Sequence, residues 1–408
     1  MEEKISSRNK LKKLLKILFI ALLLLYCIVL IVKIAKHREV YQWDFKAHFY
    51  AARAHAAGLN PYDRPLVRRV AKAPLSQWFN YTPVAIWFYR LFCLFDFNTA
   101  YYLFLAFKCI LLVGLLYLWR KGFLKSERGL LFYLFCLLAF NSAIYIDFLA
   151  GNISILEQFG LWLAFYFFLR RRLLLFCLII VILANFKLTP LLFLFLLWFL
   201  EEKKKYIYFL GSAILFAGIQ LISYLTSPLF MDFVRLMSGI LSDIRGVINP
   251  STFTLIRDVF GLIAKERGIT VPQRIQILAF LVIVAAIIFL SWRSFIVLKS
   301  VGGKEKDKIM VFLSCLVYAL ILPRFKDYSY ILLIVPTYFA IKRFSGGKEY
   351  IFLFIIMVLS TPDIVNLPGF NIIFSYLWNY YPLAIAFSVW ILYLSKIFLS
   401  TKKELTAN

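Results

Sequence analysis

Apolar stretches alternate with short polar and basic breaks from one end of the chain to the other. A helix needs roughly 20 mainly apolar residues to cross a bilayer. Runs that meet or approach that length fall at 15–33, 99–118, 129–146, 153–169, 173–185, 188–200, 206–226, 276–296, 309–322, 329–341, 350–362 and 373–397. The short ones suit tilted spans, or half-helices packed inside protein. The pattern predicts an all-α polytopic membrane protein with about 12 transmembrane helices. Asn185, Lys187 and Pro190 interrupt the middle of 173–200, which predicts a hairpin with Lys187 at its tip. Two longer polar stretches, 34–82 and 227–275, are expected to be loops. Within the first, Asp44 to Ala57 reads as a helix that Gly58 stops, followed by an Asn60-Pro61 turn. Pro83 to Phe95 is apolar and aromatic, yet short and interrupted by Arg90. It is expected to lie in the membrane interface, anchored by Trp87, Phe88 and Tyr89.

Composition agrees with this pattern and narrows it. Hydrophobic residues make up 62% of the 408 and charged residues 17%, with a mean hydropathy of +0.81. A soluble domain is nearer a quarter charged. The balance excludes a soluble enzyme, a nucleic-acid-binding module and a disordered chain. The formal charge of +26 falls mostly between apolar runs. With twelve crossings both termini are cytoplasmic and the cytoplasmic segments carry a modest excess of Lys and Arg. The remaining excess sits in the two long outer loops, where it suits anionic headgroups and lipid phosphates. The first run follows a basic head and is too long for a signal-peptide core, so it is expected to be an uncleaved helix. No soluble domain is evident, and residues 1–408 are expected to form one integral-membrane domain in the cell membrane.

Chemistry concentrates in a few places. Asp44 opens a surface helix, where it serves either as an N-cap or as a general base at the water–lipid boundary. His48 lies four residues on, on the same face. The two form at most part of a metal site, because no third ligand follows. The six cysteines lie inside apolar runs without a CxxC pair. Glu157, inside a predicted span, either pairs with a basic residue, lines a groove, or sits within one turn of the outer interface. Asn152 and Gln158 suit sugar hydroxyls or helix–helix bonds. Arg324 and Lys326 either face an anion or pair with Asp327. The 227–275 loop reads as a partly helical cap or a solvated loop. There is no DxD motif, P-loop or GxGxxG.

The order of these motifs resembles a known family. Asp44 and its helix are followed by Gly58-Leu-Asn-Pro-Tyr62, then Tyr81-Thr-Pro83. Next come Gly151-Asn152-Ile-Ser154, Lys187-Leu-Thr-Pro190, and Leu322-Pro323 leading to Tyr328, Tyr330 and Pro336. This series, from about Asp44 to Pro336, resembles glycosyltransferase family 87, polytopic mannosyltransferases that share the GT-C fold. Arg324-Phe-Lys326-Asp327 is more charged than the family pattern.

The resemblance implies transfer of a hexose, mannose first, from a polyprenyl-phosphate donor to a glycolipid or cell-envelope glycan at the outer face, with inversion. It implies Asp44 as the base and Lys187, Arg324 and Lys326 on the donor phosphate. His48, Tyr62, Tyr81, Asn152 and Tyr328 are the expected substrate contacts, with no metal ion and no soluble cofactor. Two alternatives stay open at this point. One is a transporter or flippase of lipid-linked sugars. The other is a glycan polymerase or ligase of similar architecture with a diphosphate-linked donor, for which Arg64, Arg68 and Arg69 would be suited.

Overall fold

The computed structural model describes residues 42–124, 129–240, 249–300, 305–344, 348–358 and 372–405, with scattered positions between 17 and 32. The first predicted span, 15–33, lies largely outside these residues, as do Asp243 and Arg245 of the second long loop. The described chain is helical, without strands. Among the described residues five helices are long and apolar enough to cross a membrane: Phe97–Phe123, Leu130–Ala150, Lys205–Thr226, Gln273–Ser300 and Asn379–Leu399. The chain is therefore a polytopic helical membrane protein. Shorter helices occupy most of the other predicted runs: Ser154–Leu169, Leu173–Ala184, Thr189–Phe199, Lys306–Ile321, Ile334–Phe344 and Glu349–Val358.

Burial sorts these elements. Lys205–Thr226 and Gln273–Ser300 expose most of their apolar side chains, as helices facing lipid do. Leu130–Ala150, Ser154–Leu169, Lys306–Ile321 and Ile334–Phe344 form the centre of the bundle, around Phe135, Trp162, Phe312 and Tyr338. Lipid tails are as apolar as leucine, so this centre is held by close packing rather than by escape from water. The predicted hairpin is present. Leu173–Ala184 returns as Thr189–Phe199, a 3-10 helix, and Lys187 sits in the turn.

The helix Leu130–Ala150 is broken where the apolar pattern is continuous. Phe140, Asn141 and Ser142 all have left-handed backbone, with φ of 55°, 61° and 51°. Such positions cost about 1–3 kcal/mol each and persist only when the surroundings hold them. Here Phe140 stacks on Tyr330 with ring centroids 5.6 Å apart. The Asn141 backbone N–H donates to the Tyr381 hydroxyl at 2.6 Å. The break re-aims the last two turns, which end at Gly151 beside the functional cavity.

A second, smaller core forms from the first long loop. Helix Trp43–Ala56 packs on Arg64–Ala71 and on the short helical run Pro83–Leu94 through Phe45, Phe49, Phe79, Ile86 and Tyr89. Gly58, with φ +76°, ends the first of these helices as expected. Helix Leu229–Ile240 of the second long loop adds Phe233 to this core, and Asn60 donates to Asp232 at 2.8 Å to join the two loops.

Candidate active site

Between the two cores lies a cavity of about 300 Å³. Four segments that are remote in sequence supply its chemistry.

The first is the start of helix Trp43–Ala56. Its N-cap is Gln42, held in left-handed backbone at φ 66°. The Gln42 N–H donates to Leu149 O at 2.9 Å and its side-chain amide to Phe148 O at 2.5 Å. Asp44 thus falls in the first turn, not at the cap, which corrects one of the two readings of this residue. It is buried and lines the cavity. The helix N-terminus favours its negative charge. His48 also lines the cavity, among Phe79, Tyr81 and Tyr89, with centroid distances of 5.6, 4.8 and 4.9 Å. Among the described residues neither ring nitrogen has a hydrogen-bond partner. Burial pulls the His48 pKa down to about 4, against the opposing pull of Asp44.

The second segment is the turn 151–154. Asn152 donates its side-chain amide to Asp44 Oδ2 at 2.6 Å. Gly151 makes this approach possible. Its φ is +66°, and a Cβ there would lie 2.4 Å from Gln42 Oε1 and 2.9 Å from Phe45 Cβ. Glu157, one turn into the next helix, is ion-paired with Lys187.

The third segment is the hairpin tip. Lys187 also approaches Ser154 Oγ at 3.5 Å. The tip is pinned by Thr82, whose hydroxyl donates to Asn185 O, and by Gln220, which donates to Asn185 Oδ1 at 2.9 Å.

The fourth is the loop 322–328. Asn249 accepts from the Phe325 N–H at 2.6 Å and Ser251 donates to Pro323 O at 2.7 Å, so the second long loop holds this one in place. Arg324 and Lys326 line the cavity. Among the described residues neither is ion-paired, and Asp327 does not bind either one. Burial lowers the Lys326 pKa, with Asp44 opposing and Arg324 and Lys187 adding to the fall. Burial raises that of Asp327 to about 7. Two cations approach the Tyr328 ring, with Lys187 Nζ 5.7 Å and Lys326 Nζ 5.4 Å from its centroid.

Eight of the nine expected site residues therefore line one cavity: Asp44, His48, Tyr81, Asn152, Lys187, Arg324, Lys326 and Tyr328. Tyr62 does not line it. Its hydroxyl donates to Tyr81 O at 2.7 Å, so it braces Tyr81 from behind. The expected cap is partly realised, since Phe233 and Met237 of Leu229–Ile240 line the cavity. Arg64 and Arg68 do not line it. They stack on Trp78, which does, at 5.2 and 4.8 Å. Sequence reasoning missed Lys108 and Asp147, a buried ion pair at 2.7 Å directly behind the 151–154 turn. An intramembrane lysine within Phe97–Leu118 was the available signal.

Two carboxylates, Asp44 and the Lys187-paired Glu157, stand with the Asn152 amide and three cations around one pocket, which suits proton removal from a hydroxyl next to a departing anion. No curated protein matches the chain. The family model for glycosyltransferase family 87 matches residues 78–323, more than half of the sequence. That segment contains Tyr81, Asn152 and Lys187, while Asp44, Arg324, Lys326 and Tyr328 lie beyond its ends. The chain belongs to glycosyltransferase family 87 and is a membrane glycosyltransferase.

Proposed function

We propose that this protein transfers a hexose, mannose first, from a polyprenyl-phosphate donor to a lipid-linked or cell-envelope glycan. The reaction inverts the anomeric centre, at the outer face of a cell membrane that the chain crosses about twelve times with both termini cytoplasmic. The observation that carries this reading is one cavity holding Asp44 together with Lys187, Arg324 and Lys326. The acceptor hydroxyl oxygen bonds to the anomeric carbon as the bond from that carbon to the phosphate oxygen breaks. Asp44 takes the hydroxyl proton, and polyprenyl phosphate departs with the bonding pair. The phosphodiester of the donor carries one negative charge, and the departing phosphate carries close to two at neutral pH. Lys187 shares its charge with Glu157. Arg324 and Lys326 remain to match the charge that develops on the leaving group. That balance favours a monophosphate over a diphosphate donor.

The test is transfer by purified protein in lipid, from radiolabelled polyprenyl-phosphate mannose to a native lipid extract. Labelled product from wild type, reduced at least about a hundredfold in Asp44→Asn, is the expected result. Equal transfer by both proteins removes Asp44 from the chemistry, and none by wild type removes this donor.

A further inference from the structure

The pair Lys108–Asp147 lies outside the cavity and is almost completely buried, with side-chain exposures of 3% and 0%. Lys108 Nζ is 2.7 Å from Asp147 Oδ2 and donates to the Asp147 main-chain oxygen at 2.7 Å. Asp147 then holds the next turn twice. Its Oδ1 accepts the Ser154 N–H at 3.2 Å and its main-chain oxygen the Asn152 N–H at 3.2 Å. Within the turn, Asn152 Oδ1 accepts from the Ser154 hydroxyl at 2.8 Å. This leaves the Asn152 amide aimed at Asp44 and the Ser154 oxygen aimed at Lys187.

We propose that Lys108 and Asp147 are positioning residues for transfer, fixing through the 151–154 turn where Asp44 stands relative to Lys187. The inference rests on the reading of Asp44 as the base. A buried ion pair adds little net stability, and two well-packed apolar side chains would join these helices as well. Charges inside a membrane are costly to keep. What this pair supplies, and an apolar pair cannot, is a side-chain acceptor for the Ser154 N–H of that turn, and a lysine bond that fixes the main-chain oxygen receiving the Asn152 N–H. That turn in turn touches both the base and a phosphate-binding cation.

The experiment compares two double variants, each removing both charges so that neither is left unpaired. Lys108→Met/Asp147→Leu also removes the acceptor for the Ser154 N–H, whereas Lys108→Met/Asp147→Asn keeps one. The full chain in lipid is assayed with polyprenyl-phosphate mannose and a native lipid extract. Backbone hydrogen exchange of the 151–158 region is followed in parallel. In the Leu variant kcat falls on the order of a hundredfold, while donor KM stays within about twofold, since a misplacement of about 1 Å has that effect. Its 151–158 region exchanges faster at an unchanged melting temperature. The Asn variant recovers at least about tenfold in kcat, with exchange near wild type. Wild-type kcat and exchange in the Leu variant would overturn the proposal, as would equal loss in both variants. If wild type does not use this donor, the donor reading fails and exchange alone scores the turn. If Asp44→Asn keeps full transfer, the base reading fails, and the positioning role for transfer fails with it.

Discussion

Asn152 and Asp44 are 108 positions apart in the chain and 2.6 Å apart in the fold, amide nitrogen to carboxylate oxygen. The bond orients the carboxylate through Oδ2; with Asp44 as the proposed base, Oδ1 is the oxygen that receives the proton. Asn152→Ala is expected to reduce kcat by roughly tenfold to a hundredfold while the protein stays folded, as loss of orientation does. Initial rates against donor concentration, with a melting curve alongside, check this. A change confined to KM would assign Asn152 to sugar binding instead.

The three cavity cations are not equivalent. Arg324→Ala and Lys326→Ala each remove a cavity cation that forms no ion pair among the described residues. A hydrogen bond to a charged group is worth about 1.5–3 kcal/mol, so each loses roughly tenfold to a hundredfold in kcat/KM. Lys187→Met also strands Glu157, and destabilises by about 1–3 kcal/mol because Lys187 is only 24% exposed. Adding Glu157→Gln restores the melting temperature but not transfer. Denaturation and rate measurements on the three proteins separate the two effects.

Gly151→Ala places a Cβ against Gln42 and Phe45 in left-handed backbone. Gln42 and Phe45 lie two residues before and one residue after Asp44, so the clash reaches Asp44 directly. The expected effect is a destabilisation of about 1–3 kcal/mol with transfer lost. Gly58→Ala, where φ is +76° but no atom lies within 4 Å of the added Cβ, is the control. It is expected to lose about 1–2 kcal/mol from backbone strain alone, with transfer retained. Thermal unfolding and transfer on both proteins decide the matter.

His48 gives a dependence on pH. Its folded pKa of about 4 lies below the ordinary 6.5. Between those values the unfolded chain binds a proton that the folded protein does not. The stability associated with neutral His48 is therefore complete above pH 6.5 and lost as pH falls towards 4, by up to about 3 kcal/mol. The difference in stability between wild type and His48→Phe, measured from pH 7.5 to 4.5, is expected to follow this course. Asp327, raised to about 7 by burial, shifts both proteins alike and cancels in the difference. A flat difference would show that His48 gains a partner or is hydrated.

Much was legible before any coordinates. Eleven of the twelve apolar runs fall on described helices, most of them to within a few residues. Hydrocarbon demands length and apolarity, and both are linear properties of a chain. The surface helix after Asp44 and its glycine stop were equally local, and so were the hairpin and its Lys187 tip. The motifs that point to the family also lie along the chain as short strings. Tertiary structure decided what those strings do to one another. Nothing near Gln42 announces an N-cap in left-handed backbone, because its partners are carbonyls of Phe148 and Leu149. The break at 140–142 has no proline or glycine to signal it, and is held by Tyr330 and Tyr381 from much later in the chain. Lys108 finds its partner, Asp147, 39 positions later, on the next helix. Lys187 and Glu157 found each other, while Arg324 and Lys326 passed over the adjacent Asp327. Residue type and spacing set which helices form and which groups are able to react. Which carboxylate receives an amide, and which cation stays available for an anion, depends on how helices distant in sequence pack.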